Sequence, residues 1–179
     1  MNLPTKEECF EILKEYEVPQ NIIEHSLMVN KVAIFLAKKL VEKSIKINID
    51  LLDRASLLHD LDKIATLKDY YSHGKVSKEI LEKKGFLQVG KIVSVHRTDS
   101  IKNNMVNTWE EKLLNYADGR VTNDKIVSLH ERFEYGRKNY PEFNTPEGRE
   151  SEIKKHELEK EIFSHLDFKP EDLKQEMEK

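Results

Sequence analysis

The chain has 179 residues, 38% of them hydrophobic and 35% charged, which suits one domain with a real core under a heavily solvated surface. Its 33 acidic and 30 basic side chains are interspersed and leave a formal net charge of -3, excluding the basic stripe of a nucleic-acid binder; a phosphate-bearing ligand has to meet local positive charge. The single Cys9 excludes an intramolecular disulfide. No stretch approaches about eighteen apolar residues, and the start MNLPTKEECF lacks the order of a secretion signal, so a cytoplasmic protein with no membrane partner is expected.

Scarce glycine, prolines between periodic segments and apolar residues recurring at three and four positions predict helices almost throughout and no convincing strand. A first helix begins at Thr5 as N-cap, with Glu8 completing a capping box, and stops before Pro19; its apolar positions are Phe10, Ile12, Leu13 and Tyr16. A second runs from about Pro19 to Lys43, with Ile22, Val29, Val32, Leu36 and Leu40 as its inward stripe and His25 on that stripe. A third carries Leu51, Leu52, Ala55, Ser56, Leu58, His59 and Asp60. A fourth begins near Ser72 and ends at Gly85, which accepts the left-handed conformation. A fifth covers Gln88 to Arg97, with His96 on the face of Val89, Ile92 and Val93, and a sixth runs from Thr108 to about Asp118. From Thr122 onward two further helical stretches flank the turn-rich segment Asn139 to Gly148. The last, Glu147 to Leu166, is charged enough to be a surface helix or an interaction arm.

Four of the seven histidines, His25, His59, His73 and His96, lie near helices whose inner faces should converge. Adjacent helical residues point about 100° apart, so His59 and Asp60 can grip one cation only from the edge of an inward face. Asp118 follows Leu114 by four residues and is aimed inward, where a lone carboxylate is costly unless paired or metal-bound. Taken singly, His25 reads as a hydrogen-bonded core histidine; the ordered set points to ligands. His130, His156 and His165 fall outside that order and read as structural or exposed. The rings of Phe133, Tyr135, Tyr140 and Phe143 suit packing more than base stacking.

The runs EHSLMV, LLHDLDK and YADGRV, in that order, resemble the H, HD and D motifs of the HD-domain phosphohydrolase superfamily over roughly residues 20–125. The resemblance implies an all-α HD-type helical bundle with its HD core at 20–125; with the length of the chain and the helical stretches beyond, the expectation is a single domain over 1–179 with a C-terminal helical extension at 126–179. It also implies a divalent metal held by His25, His59, Asp60 and Asp118. Many relatives carry glycine in a His-Asp-Ile-Gly-Lys run, whereas this chain reads His59, Asp60, Leu61, Asp62, Lys63, which leaves the subfamily open. SHGKVSKEIL, with His73, and IVSVHRT, with His96, resemble motifs of the six-ligand branch that binds two metals. By that resemblance Asp60 bridges the ions while His73 and His96 hold the second. The branch includes bacterial enzymes that split diadenosine tetraphosphate symmetrically.

Imidazole mixed with carboxylate suits Fe, Mn, Co, Ni or Zn better than Mg or Ca, and two such ions about 3.5–4 Å apart would activate water and clamp a phosphate ester. Lys63, one helical turn beyond His59 and Asp60, is placed to reach a phosphate oxygen, and Arg97 and Arg120 are further substrate-binding candidates. The expectation is a hydrolase of a phosphate ester or anhydride in a nucleotide-like small molecule, with Asp60 and Lys63 as its catalytic residues and a homodimer left open. A catalytically silent module binding nucleotide or a protein partner, and a di-iron oxygenase, are the alternatives. Histidine ligation predicts declining activity below about pH 6, near the reference histidine pKa of roughly 6.5.

Overall fold

In a computed structural model, which describes residues 2–69 and 72–179, the chain forms a bundle of α-helices with one two-residue-long hairpin. Helix α1 (Lys6–Glu15) starts at Thr5, whose hydroxyl accepts from the Glu8 amide at 3.1 Å while the Glu8 carboxylate accepts from the Thr5 amide at 2.6 Å. Its buried stripe is Cys9, Ile12 and Leu13. Phe10 and Tyr16, expected with them, lie off that stripe and are 44% and 39% exposed. Helix α2 (Gln20–Glu42) buries all five residues of the expected stripe and packs on helix α3 (Ile49–Leu58) and helix α7 (Trp109–Gly119).

Helix α3 stops two residues before Asp60, contrary to expectation. His59 is its C-cap, and residues 59–68 continue as turns, with Leu61 N bonded to Leu58 O and Lys63 N to Asp60 O. The reason lies in burial: Asp60 and Asp62 are both buried, and in a regular helix residues two apart point about 200° apart and cannot share one face. Helix α4 (Lys75–Lys83) begins after Gly74, whose φ of 82° bars most other residues, and Gly85 at φ 87° ends it as expected.

Helix α5 (Leu87–Val93) is shorter than predicted, leaving His96 beyond its end, and a short helix α6 (Thr98–Lys102) follows that the periodicity does not reveal. The Asn115 amide of α7 donates to the carbonyls of Val95, His96 and Arg97, and this tertiary bonding holds them in a turn instead of a continued helix. Helix α7 starts at Thr108 with a complete capping box to Glu111. Thr108→Ala is expected to cost about 1 kcal/mol and to lower the melting temperature by about 2–4 °C, checked by calorimetry.

A hairpin of β1 (Val121–Thr122) and β2 (Lys125–Ile126) follows, in register Val121 to Ile126, where no strand was expected. Its turn works because Asn123 tolerates the left-handed region, at φ 56°. Helices α8 (Leu129–Asn139) and α9 (Pro146–Phe163) flank a 3-10 turn at Pro141–Asn144, and a short α10 (Leu173–Met177) ends the chain. The charged α9 folds back on α6, α7 and α8, burying Lys155, Leu158, Ile162 and Phe163. Phe133, Tyr135, Tyr140 and Phe143 meet in three ring pairs with centroids 5.8–6.4 Å apart, and Phe133 is part of the hydrophobic core. Among the described residues no helix is long and apolar enough to cross a membrane.

Candidate metal centre

Two helices and three turns bring His25 (α2), His59 and Asp60 (after α3), His73 (before α4), His96 (after α5) and Asp118 (α7) to one point in the core. His25 Nε2 lies 3.1 Å from Asp118 Oδ1 and 3.9 Å from Asp60 Oδ2; His59 Nε2 is 3.7 Å from each of those oxygens. On the other side, His73 Nε2 and His96 Nε2 lie 3.1 and 3.6 Å from Asp60 Oδ1 and 3.1 Å from each other. These separations are those of donor atoms sharing a cation at metal–ligand lengths of about 2.0–2.2 Å. Two ligand groupings that could hold an ion are His25, His59 and Asp118, and His59, Asp60 and His96.

The outer bonds turn all four rings the same way. Nδ1 of His25 is bonded to the Asn123 carbonyl at 2.8 Å, that of His59 to the Ser56 carbonyl at 2.8 Å, that of His96 to the Val93 carbonyl at 2.7 Å, and that of His73 to Asp62 Oδ1 at 2.7 Å. A carbonyl can only accept, so at His25, His59 and His96 Nδ1 carries a proton, which leaves Nε2 as the ring atom facing inward, able to bind a cation once it is deprotonated. His59 Nε2 is buried with no hydrogen-bond partner. A buried acceptor left in that condition is costly, and a cation between it and the two carboxylates removes the cost. The donor set therefore fits a divalent transition ion.

The centre's own charges pull its titrations apart. Burial raises the Asp60 and Asp118 carboxyls, but Lys63 and His59 around the first, and His25 and His59 around the second, hold both well below the usual carboxylate range. Burial lowers His73, yet Asp60 and Asp62 carry it up to about 9. His59 is raised despite its burial, chiefly by Asp60 and Asp118. His96 is lowered by burial and by its neighbours His73 and His59.

Of the residues expected to meet a substrate, Lys63 sits at the rim: Nζ is 3.1 and 3.2 Å from the two oxygens of Asp60, and its side chain is 42% exposed. Arg97 is buried and paired with Asp99 through Nε and Nη2, at 2.9 and 2.6 Å. Arg120 is buried. Its guanidinium binds the Val127 and Pro170 carbonyls, Tyr116 and Glu159, and so ties the hairpin to the C-terminal helices.

Three supporting residues escaped the motif reading: Asp62, Asn115 and Asn123. Asp62 stands where many relatives carry glycine; besides His73 it accepts from the Gly74 and Ser77 amides at 2.8 and 2.9 Å. The sequence signal for it was that departure itself. If His73 holds an ion, Asp62→Ala is expected to lower the affinity for it by roughly 10–100-fold, measured by competition with a chromophoric chelator; an unchanged affinity would remove Asp62 from the centre.

The family comparison agrees with this geometry. The HD domain family matches residues 22–136, from α2 through most of α8. The chain is 28% identical over 136 residues to Uncharacterized protein MJ0778 of Methanocaldococcus jannaschii, a match covering 69% of this chain and 79% of that protein. It is also 29% identical over 140 residues to the tRNA (cytidine(56)-2'-O)-methyltransferase of Picrophilus torridus, covering 71% of this chain but 39% of the methyltransferase. No solved structure matches the chain. With the match covering well over half its length and the His and Asp side chains converging in its core, the chain belongs to the HD domain family, whose members are generally metal-dependent hydrolases.

Proposed function

We propose that this protein is a two-metal phosphohydrolase acting on a small, nucleotide-like phosphate ester or anhydride. The observation that carries the reading is the division of labour at Asp60: Oδ2 faces His25 and His59, while Oδ1 faces His73 and His96. One carboxylate serving two sets of imidazoles suits a bridging ligand. When bound, ions of the Fe, Mn, Co, Ni or Zn type supply Lewis acidity toward phosphoryl oxygens and activate water at neutral pH.

The chain's own residues supply the rest. His25, His59 and Asp118 form one set of donors, and His73 and His96 the other. Lys63, half exposed above Asp60, offers N–H donors to a phosphate oxygen and offsets charge as it builds there. A cation suited to phosphate favours a hydrolase over the oxygenase alternative; a silent module that binds nucleotide would use the same lysine, and turnover separates the two. A small substrate is favoured by the net charge of -3, which gives no field to draw in a polynucleotide.

The test is elemental analysis of protein purified without chelator, paired with turnover on nucleotides and dinucleoside polyphosphates. About two transition ions per chain together with phosphate release is the expected result. Full metal occupancy with no turnover on any phosphorylated compound would overturn the hydrolase in favour of a binding module. Oxygen consumption in place of phosphate release would favour the oxygenase.

A further inference from the structure

Helix α9 lies outside the residues that match the HD family, yet it places a lysine in the interior beside the metal centre. Lys155 is fully buried. Its Nζ donates to the backbone carbonyl of Asn115 at 2.5 Å and to the side-chain Oδ1 of the same residue at 2.6 Å. Asn115, also fully buried, uses its remaining amide group on the Val95, His96 and Arg97 carbonyls at 3.3, 3.0 and 2.9 Å. Gly119, next to Asp118, makes room for the lysine: a Cβ there would lie 3.1 Å from Lys155 Cε and 3.2 Å from Nζ.

Burying a lysine sacrifices its rotamer freedom and its hydration, so an apolar side chain of similar length would be the cheaper occupant of this space. What an apolar side chain cannot do is donate two N–H groups. Burial draws the Lys155 pKa down to about 7, and the ammonium and the neutral amine both keep the two donors that Asn115 uses. With its Oδ1 held by Lys155, the Asn115 amide is fixed in one orientation, since a flipped amide would aim its nitrogen at the lysine. Its NH2 group is thereby committed to the turn that carries His96, while the same residue sits one helical turn before Asp118 on α7.

We infer that Lys155 is a positioning residue of the metal centre: acting through Asn115, it sets the His96 turn in register with the helix that presents Asp118. The inference rests on the reading of His96 as a ligand, but its structural content does not require an ion. If it holds, the C-terminal helices are a working part of the centre and not an appendage to the family core.

The experiment is nitrogen-15 NMR of the histidine rings in full-length, metal-free protein, comparing wild type with Lys155→Met, Asn115→Ala and Gly119→Ala. The expected result is that His96 loses its single Nδ1-protonated signature in each variant while His25, held by Asn123, keeps its own. Gly119→Ala, which crowds the lysine tip without removing it, keeps the test open if Lys155→Met does not fold. Cobalt titration then reads the consequence: about a 10–100-fold weaker ion at His96 and His73, an unaltered ion at His25 and Asp118, and no additional loss in the Lys155→Met, Asn115→Ala double variant. An unchanged His96 signal in folded variants, or equal loss at His25 and His96, overturns the inference. A wild type that takes up no cobalt counts against the metal reading alone, because the NMR criterion is met or failed without metal.

Discussion

On the two-metal reading, Asp60→Ala is expected to lower phosphate release by more than about a hundredfold and to take the metal content from near two ions per chain to one or none. The size follows from what the residue touches. Its two oxygens lie 3.1–3.9 Å from the Nε2 atoms of His25, His59, His73 and His96, and Lys63 is bonded to both. Losing an outer partner of a metal ligand costs roughly 10–100-fold in affinity or activity, and losing a ligand shared by two ions exceeds that. The variant also leaves Lys63 and His73 without the carboxylate that balances them, so the His73 pKa moves down toward its ordinary value. Turnover and elemental analysis on the same preparation check both parts. Unchanged turnover would remove the two-metal hydrolase.

Metal uptake is expected to release protons, and affinity for an ion held at His73 to rise as pH rises through the neutral range. In the protein's own field His73 is raised from 6.5 to about 9, against the effect of burial, by Asp60 and Asp62. A histidine raised in this way stabilises the fold fully below pH 6.5 and loses that contribution as pH passes through about 9. An ion must displace the same proton. Between pH 6.5 and 9 its apparent affinity therefore climbs by about tenfold per pH unit for the one proton released. Titration calorimetry at pH 7.5 in two buffers of different ionisation enthalpy reads the release directly, and a heat independent of buffer would refute it. At limiting metal the decline in activity begins well above the pH 6 expected from an unperturbed imidazole, because two carboxylates face this ring; saturating metal moves the decline toward acid.

The local chemistry of the chain was sufficient to specify the longer helices, though not α6, α10 or where α3 and α5 end. Thr5 and Thr108 announce their helices through capping boxes, Gly85 ends α4, and the stripe of Ile22, Val29, Val32, Leu36 and Leu40 is buried as its period requires. These features depend on contacts within a few residues or on one apolar face, and both are written in sequence order. The six candidate ligands were legible for a related reason: each motif is short, and their order survives without coordinates.

What depends on partners distant in sequence was not legible. The end of α5 before His96 is decided by Asn115, some twenty residues away, and the turns after α3 by the need to bury Asp60 and Asp62 together. Arg120 looked suited to a substrate because it follows Asp118 closely; only the fold shows its donors engaged by Tyr116, Val127, Glu159 and Pro170. The hairpin that orients His25 is two residues per strand, too short for any alternation to register. Helix α9 carries the plainest case. Its charge pattern admits a surface helix or an interaction arm, and the sequence by itself determined that it would be helical and highly charged. That it docks on α7 and sends Lys155 into the core was decided by tertiary structure, since a buried ammonium is tolerable only where acceptors such as those of Asn115 already wait for it.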